Sequence, residues 1–379
     1  MKVLHLITGL GTGGAEMMLY KLLSHMDREN FQNQVVSMTD CGEIGQKIEA
    51  LNIPVSALGM SPGVPSPQAI LKLARHIRRT QPDVVQTWMY HSDLLGGLAG
   101  WLAGGVPVLW NIRNSGLEPN LTKRSTLRVA GLCMRLSRRL PTRIVCCSER
   151  AARFHADFGY PEERMIVIPN GFTLDAFQPD PTARPKVRQE LGLPEEIPLI
   201  GKMARFDPTK DHSNFIQAAG LLHKVYPNVH FLLCGKGMTE DNPVLTGEIE
   251  AVGIRDTCHL LGLRKDVAML TAALDIATSS SAGEGFSNAM GEAMACAIPC
   301  AVTDVGDSAM LVGDTGRVVP RRNSQALANA WRELLDMGGE GRRWLGALAR
   351  RRVETHFDIK KIALSYQRLY QEIMTTCAD

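Results

Sequence analysis

Two successive series of short apolar runs, each run followed by a stretch of helical length, constrain this chain more than any other feature. The first series comprises Lys2 to Thr8, Gln34 to Met38, Val84 to Thr87, Val106 to Ile112 and Arg143 to Cys147. The second comprises Leu199 to Met203, His230 to Cys234, Cys258 to Leu261, Ile276 to Ser279 and Pro299 to Val302, interleaved with helices such as Asp211 to Val225 and Asn288 to Cys296. This alternation predicts α/β architecture, a parallel sheet wrapped by helices, built twice. Between the two series, Gln178 to Pro185 (QPDPTARP) is rich in proline and lacks apolar periodicity, so we expect the interdomain linker there. A length of 379 residues is long for one core and agrees with two domains of ordinary size.

Composition narrows the classes further. With 45% hydrophobic and 21% charged residues the chain is globular, and a net charge of +3 is too small to argue for a nucleic-acid partner. The nine cysteines include Cys146-Cys147 and the pair Cys296 and Cys300, with no CxxC or Cys/His zinc spacing, so reduced cytosolic thiols are expected. The start of the chain suits a first strand better than a secretory signal, which points to the cytoplasm. Leu94 to Trp110 is uncharged and carries Gly96, Gly100 and Gly104, but Gly104-Gly105 and Pro107 break it. A helix packed closely on a sheet and then a buried strand are expected there, in place of a membrane span.

The chemistry concentrates after the run ending at Ser279. Ser279 to Gly283 turns the chain, Ser287 or Asn288 is placed to cap a new helix, and the free amides at its start form an anion site. Glu292 sits roughly one turn further in, where a carboxylate accepts two hydrogen bonds from vicinal hydroxyls such as those of a ribose. Glu284 points from the loop at whatever follows the phosphates, so the spacing fits a ligand running ribose, diphosphate, sugar. Arg205 and Lys210, in ARFDPTKD, follow the first strand of the second series, the end where open parallel sheets bind ligands. Two cations there either neutralise a departing nucleoside diphosphate or form surface salt bridges. No Asp-x-Asp motif stands at a competing strand end, and no metal is expected.

Gly9, Gly11 and Gly14 form a GxGxxG between a strand and a helix, with Asp40 after the second strand, as in a dinucleotide fingerprint. Nothing downstream supports hydride transfer. Taken in chain order, Gly9 to Glu16, Ile168-Pro169-Asn170-Gly171, the Arg205/Lys210 pair and Glu284-x7-Glu292 cover nearly the whole sequence. Together they resemble the retaining glycosyltransferases of family 4, which share the GT-B fold of two facing Rossmann-like domains with parallel sheets and a cleft between them.

The resemblance implies an acceptor-binding domain at residues 1–178, with a C-terminal helix in 358–379 packing back on it, and a nucleotide-sugar-binding domain at 186–357. It implies Arg205, Lys210 and Glu284 as catalytic residues. Donor contacts would come from Gly13, Gly14, Arg205, Lys210, Glu284, Gly285, Phe286, Ser287, Asn288 and Glu292, and acceptor contacts from Glu16, His91 and Arg113. Glu16 equally suits a first-turn carboxylate that complements the helix dipole. His91 equally suits a satisfied corner histidine, and Trp88 and Tyr90 beside it are available to stack on sugar faces. Where family members often carry a histidine after the next strand, this chain has Arg113, which suits an anionic acceptor.

The basic stretch 123–139 (KRSTLRVAGLCMRLSRR) reads either as a helix that docks on an anionic membrane surface or as a solvated face. The implied activity is metal-independent transfer of a hexose-type sugar from a UDP or GDP donor to a glycan or lipid-linked acceptor in polysaccharide or surface-glycan assembly. No cofactor beyond the nucleotide-sugar co-substrate is implied, and the enzyme would be cytoplasmic or peripheral at the inner membrane face. A nucleotide-sugar epimerase and a non-catalytic binding module are the other classes.

Overall fold

The structure is a computed structural model that describes residues 1–11, 13–61, 66–117 and 122–376. Thr12 of the glycine loop and the last three residues of the expected C-terminal segment lie outside the described residues. The chain forms two units, Met1–Gly171 with Ile359–Asp379, and Phe172–Asp358.

In the first unit seven strands, β1 (Lys2–Ile7), β2 (Gln32–Ser37), β3 (Val55–Ala57), β4 (Val84–Trp88), β5 (Val108–Ile112), β6 (Arg143–Cys146) and β7 (Met165–Val167), form one sheet in the order β3-β2-β1-β4-β5-β6-β7. All neighbours are parallel, and the register pairs Ile7 with both Ser37 and Trp88. The strand order reverses between β1 and β4, which opens a crevice at their carboxyl ends. β4 and β5 are buried at every position, as strands covered on both faces must be. The helix Tyr90–Leu102 packs so closely that a Cβ on Gly96 would approach Thr87 to 2.4 Å and one on Gly100 would approach Val108 to 2.5 Å. Among the described residues no helix is long and apolar enough to cross a membrane.

The helix Ile359–Thr376 closes this unit, burying Ile362, Tyr366 and Tyr370 against the core of Val3, Ile7, Leu19 and Leu22. Tyr366 stacks on Trp88 with centroids 6.3 Å apart and accepts from the Asn111 amide at 3.1 Å, while Tyr370 donates to Gln86 at 3.3 Å. His5 is the buried polar centre of β1. The Trp88 indole N–H donates to its Nδ1 at 3.4 Å, and its Nε2 bonds Asn33 Oδ1 at 3.0 Å. Indole is a donor only, so the neutral Nε2–H tautomer is the one that fits. Burial lowers its pKa to about 4.

The second unit holds β8 (Leu199–Met203), β9 (His230–Cys234), β10 (Cys258–Leu260), β11 (Ile276–Ser279), β12 (Cys300–Thr303) and β13 (Gly316–Val319), all parallel in the order β10-β9-β8-β11-β12-β13. Its order reverses between β8 and β11. Phe215, Phe231 and Trp331 fill the core, with centroids 5.2 to 6.1 Å apart. The edge strands β3, β7 and β13, of three or four residues each, are not among the runs read from the sequence.

The expected linker is displaced. The chain leaves the first unit at Gly171, and Ala183–Glu190 is a helix of the second unit with Ala183 and Val187 fully buried. Pro185 misleads because proline is tolerated in a helix's first turn. Arg184 and Arg188 of this helix bond the Asp275 carboxylate at 2.8 and 2.7 Å, and that carboxylate also accepts from the Leu199 amide at 2.9 Å.

Removing one partner of a buried pair strands the other, so Asp275→Ala should cost the second unit about 3–5 kcal/mol. A urea titration that followed Trp331 and showed no shift in midpoint would refute this lock. Acid should act through His5. The unfolded chain takes up a proton near pH 6.5 and the folded chain only near pH 4, so stability is lost as pH falls through that window, by about 2 kcal/mol at pH 5. The urea midpoint at pH 5 against pH 7 should therefore fall less in His5→Asn than in the parent; equal losses would contradict the assignment.

Candidate active site

The carboxyl ends of β8 and β11 bring two loops together. After β8, Asp207 caps the turn Pro208–Lys210, accepting from the Thr209 amide at 2.9 Å and its hydroxyl at 2.5 Å. Lys210 Nζ then donates to both Glu284 oxygens at 2.6 Å, with side chains 22% and 13% exposed. Backbone bonds fix this meeting. The Ala282 amide donates to Thr209 O at 2.9 Å, Ser280 Oγ to Asp211 O at 2.7 Å, and the Asp307 amide to Gly285 O at 3.2 Å. Gly306 lies so close beneath, at φ +53°, that a Cβ there would come within 2.3 Å of Gly285 O.

The helix Asn288–Ala295 follows, with Ser287 at its N-cap position. The Ser287 side chain makes no capping bond, so the cap expected from the sequence is not formed there. Glu292 lies on the second turn, half-buried. Gly291 backs onto Phe172, whose ring a Cβ would meet at 1.9 Å, and Phe172, Phe286 and Phe357 form one aromatic cluster with centroids 5.7 to 6.5 Å apart. The Phe286 ring is thereby buried, leaving backbone as what this residue offers a ligand.

Arg205 departs from the expected pair of fixed cations. Its guanidinium, 56% exposed, bonds Asp207 at 3.1 and 3.2 Å, whereas Lys210 engages Glu284. The sequence reading also passed over Lys202, a buried lysine in β8 that donates to Lys210 O and to Ser280 Oγ. Its signal was a lysine inside the otherwise uncharged run Leu199 to Met203. Among the described residues no cluster of three or more His, Cys, Asp or Glu is arranged to hold a metal ion.

At the switch point of the first unit, a cavity of about 500 Å³ gathers all three acceptor candidates, Glu16, His91 and Arg113, together with Lys123 and the apolar Met38, Met60 and Met89. Arg113 is held by neutral groups. It donates to Asn111 Oδ1 at 3.3 Å and to Asn170 Oδ1, and lies over the Trp88 ring at 5.2 Å. Burial lowers the His91 pKa, which favours the neutral imidazole. Glu16 occupies the first turn of the helix Gly14–His25 and also lines the cavity. Gly13 is the N-cap of that helix, and a Cβ there would meet the Glu16 carboxylate at 2.3 Å.

Two expectations fail beside this cavity. Trp88 is fully buried beneath Arg113 and cannot stack on a sugar. Tyr90 is 5% exposed and shares its hydroxyl between Asn114 at 2.9 Å and His155 at 2.5 Å. Met89 holds φ 73° and ψ 157°, a region essentially reserved for glycine and worth about 1–3 kcal/mol of strain. The basic stretch forms the helix Arg124–Leu136, which buries Val129, Ala130 and Cys133 and exposes Arg124, Arg128, Leu132 and Arg135.

Comparison with known proteins agrees with this layout. Residues 12–176 match the family model "Glycosyltransferase Family 4", and residues 197–337 match "Glycosyl transferases group 1". EpsF of Bacillus subtilis is 27% identical over 318 residues, 80% of this chain and 79% of that protein. The D-inositol 3-phosphate glycosyltransferase of Xylanimonas cellulosilytica is 29% identical over 302 residues, 74% of this chain and 70% of that protein. Among solved structures, HepE of Anabaena in complex with UDP superposes with a TM-score of 0.85 at 24% identity, covering 98% of this chain and 100% of that one. The chain belongs to glycosyltransferase family 4 and is a glycosyltransferase of the GT-B fold.

Proposed function

We propose that this glycosyltransferase moves a hexose-type sugar from a nucleoside diphosphate to a phosphorylated glycan or lipid-linked acceptor in surface-glycan assembly, with retention and without a metal. The carrying observation is the Lys210–Glu284 pair, held in the loop that leads into the helix Asn288–Ala295 carrying Glu292. In this reading Glu292 accepts from the ribose hydroxyls, and the amides of Phe286 to Asn288, with Glu284, hold the sugar. Lys210 and Arg205 stabilise the leaving diphosphate electrostatically. Gly13 and Gly14 leave the loop after β1 open to a ligand. The acceptor hydroxyl attacks the anomeric carbon on the face the diphosphate leaves. The carbon–oxygen bond to phosphate breaks as the new glycosidic bond forms, and a phosphate oxygen takes the hydroxyl proton.

UDP-sugars lead the donor choices because HepE was solved with UDP and with UDP-glucose. An anionic acceptor is favoured by Arg113 and Lys123 in one cavity, with Arg113 bonded to neutral partners, and by the phosphorylated acceptor named for the Xylanimonas relative. Glu16 and His91 supply acceptor hydroxyl contacts there. This cavity favours a transferase over an epimerase or a binding module, neither of which needs an acceptor site.

UDP calorimetry and turnover test the assignment together. Glu292→Ala should lose roughly 1.5–3 kcal/mol of UDP affinity, and Lys210→Ala should lose turnover in a chelator-insensitive reaction. Arg113→Ala should raise the acceptor KM while leaving UDP binding intact. Parent-like UDP affinity in Glu292→Ala, or strict dependence on a divalent metal, would sink the reading.

We also propose that the exposed basic helix docks the enzyme on an anionic leaflet, each arginine adding about 1 kcal/mol at the surface. Sedimentation with phosphatidylglycerol vesicles should occur at low salt, weaken as salt rises, and vanish when Arg135, Arg138 and Arg139 become glutamate. No parent binding at low salt would return the helix to a solvated face.

A further inference from the structure

Beneath the Lys210–Glu284 pair lies a third cation that the mechanism above does not use. Lys202, on β8, is 2% exposed; its ammonium donates to the Lys210 carbonyl and the Ser280 hydroxyl and lies 5.9 Å from the centroid of the Phe215 ring. A buried ammonium is costly unless its hydrogen bonds are made, and here they go to the two loops that carry the site. One partner is the backbone of the residue that grips Glu284. The other, Ser280, starts the loop leading to Glu284 and passes the connection on to Asp211 O at 2.7 Å.

We propose that Lys202 is a positioning residue of the donor site: by joining the turn Pro208–Lys210 to the end of β11, its ammonium sets Lys210 against Glu284 and adds buried positive charge beside the diphosphate. This rests on the reading of Lys210 and Glu284 as donor contacts. The titratable groups around it are Lys210 and Asp211 from the turn, Glu284 from the loop after β11, and His212 from the helix His212–His223, whose imidazole burial holds neutral. Burial, with Lys210 adding to it, lowers the Lys202 pKa to about 7. An arriving diphosphate favours the charged form, so binding above that pH takes up a proton and weakens as pH rises. Folding responds in the opposite sense. The unfolded chain holds the lysine proton up to about pH 10.5, so between pH 7 and 10.5 stability rises with pH. Weaker binding at pH 8.5 therefore cannot be laid to unfolding at this residue.

The experiment is UDP calorimetry on the full chain at pH 6.5 and 8.5, in two buffers of different ionisation enthalpy, for the parent, Lys202→Met and Lys202→Ala. The parent should bind more weakly at pH 8.5 and take up protons there. Lys202→Met should bind roughly tenfold or more weakly at pH 6.5, with the pH dependence and proton uptake gone. Propylammonium should restore part of the affinity to Lys202→Ala. If Lys202→Met does not fold, Ser280→Ala keeps the lysine, removes its partner and should weaken UDP binding in the same direction. Parent-like affinity and an unchanged pH profile in the variants overturn the role of Lys202 alone. Failure of the parent to bind any nucleoside diphosphate overturns the donor site and this role together.

Discussion

The parallel pairing of β8 with β11 is the constraint on which the candidate donor site depends. Ile276 lies beside Ile200, so the loops that leave the two strands emerge side by side although more than seventy positions separate Lys210 from Glu284. Hydrogen bonds between the loop backbones then fix the two side chains at contact distance, and Asp275 at the foot of β11 ties the same strand to the Ala183–Glu190 helix. The ion pair is a consequence of sheet register, held by main chain where side-chain entropy has little to disturb.

The first unit solves a different problem, which is to present positive charge without neutralising it. Arg113 is positioned by two asparagine oxygens and an indole face, none of which cancels its charge. One of those asparagines, Asn170, comes from the last turn of chain before the crossover, and Gly171 beside it has no room for a Cβ because Ile359 of the closing helix lies within 3 Å. The Ile168-to-Gly171 motif is thus a support for Arg113 and a close-packing point for the returning helix. The strained Met89 sits at the edge of the same cavity, where backbone strain tends to be retained for function.

Much of this was legible in the order of residues. The runs at Leu199 to Met203, His230 to Cys234 and Ile276 to Ser279 coincide with β8, β9 and β11, because short, largely apolar runs bounded by turn residues have few other uses. The glutamate pair, the glycine loop and Arg205/Lys210 identified the family because their chemistry is local to short segments. Edge strands β3 and β7 were invisible, being three residues each and partly exposed, so they carry almost no pattern.

Side-chain partners were a different matter. The sequence by itself determined two parallel-sheet units, the residue types available for a diphosphate and a sugar, and an arginine, Arg113, just after the fifth strand. Only the tertiary structure decided that Lys210 meets Glu284 while Arg205 turns to Asp207, that Trp88 is buried under Arg113, that the proline-rich stretch runs into a packed helix, and that Lys202 lies beneath the site. The reason is physical: local pattern reports a segment's own preferences, whereas burial and partnership are set by which distant segment the sheet register lays beside it.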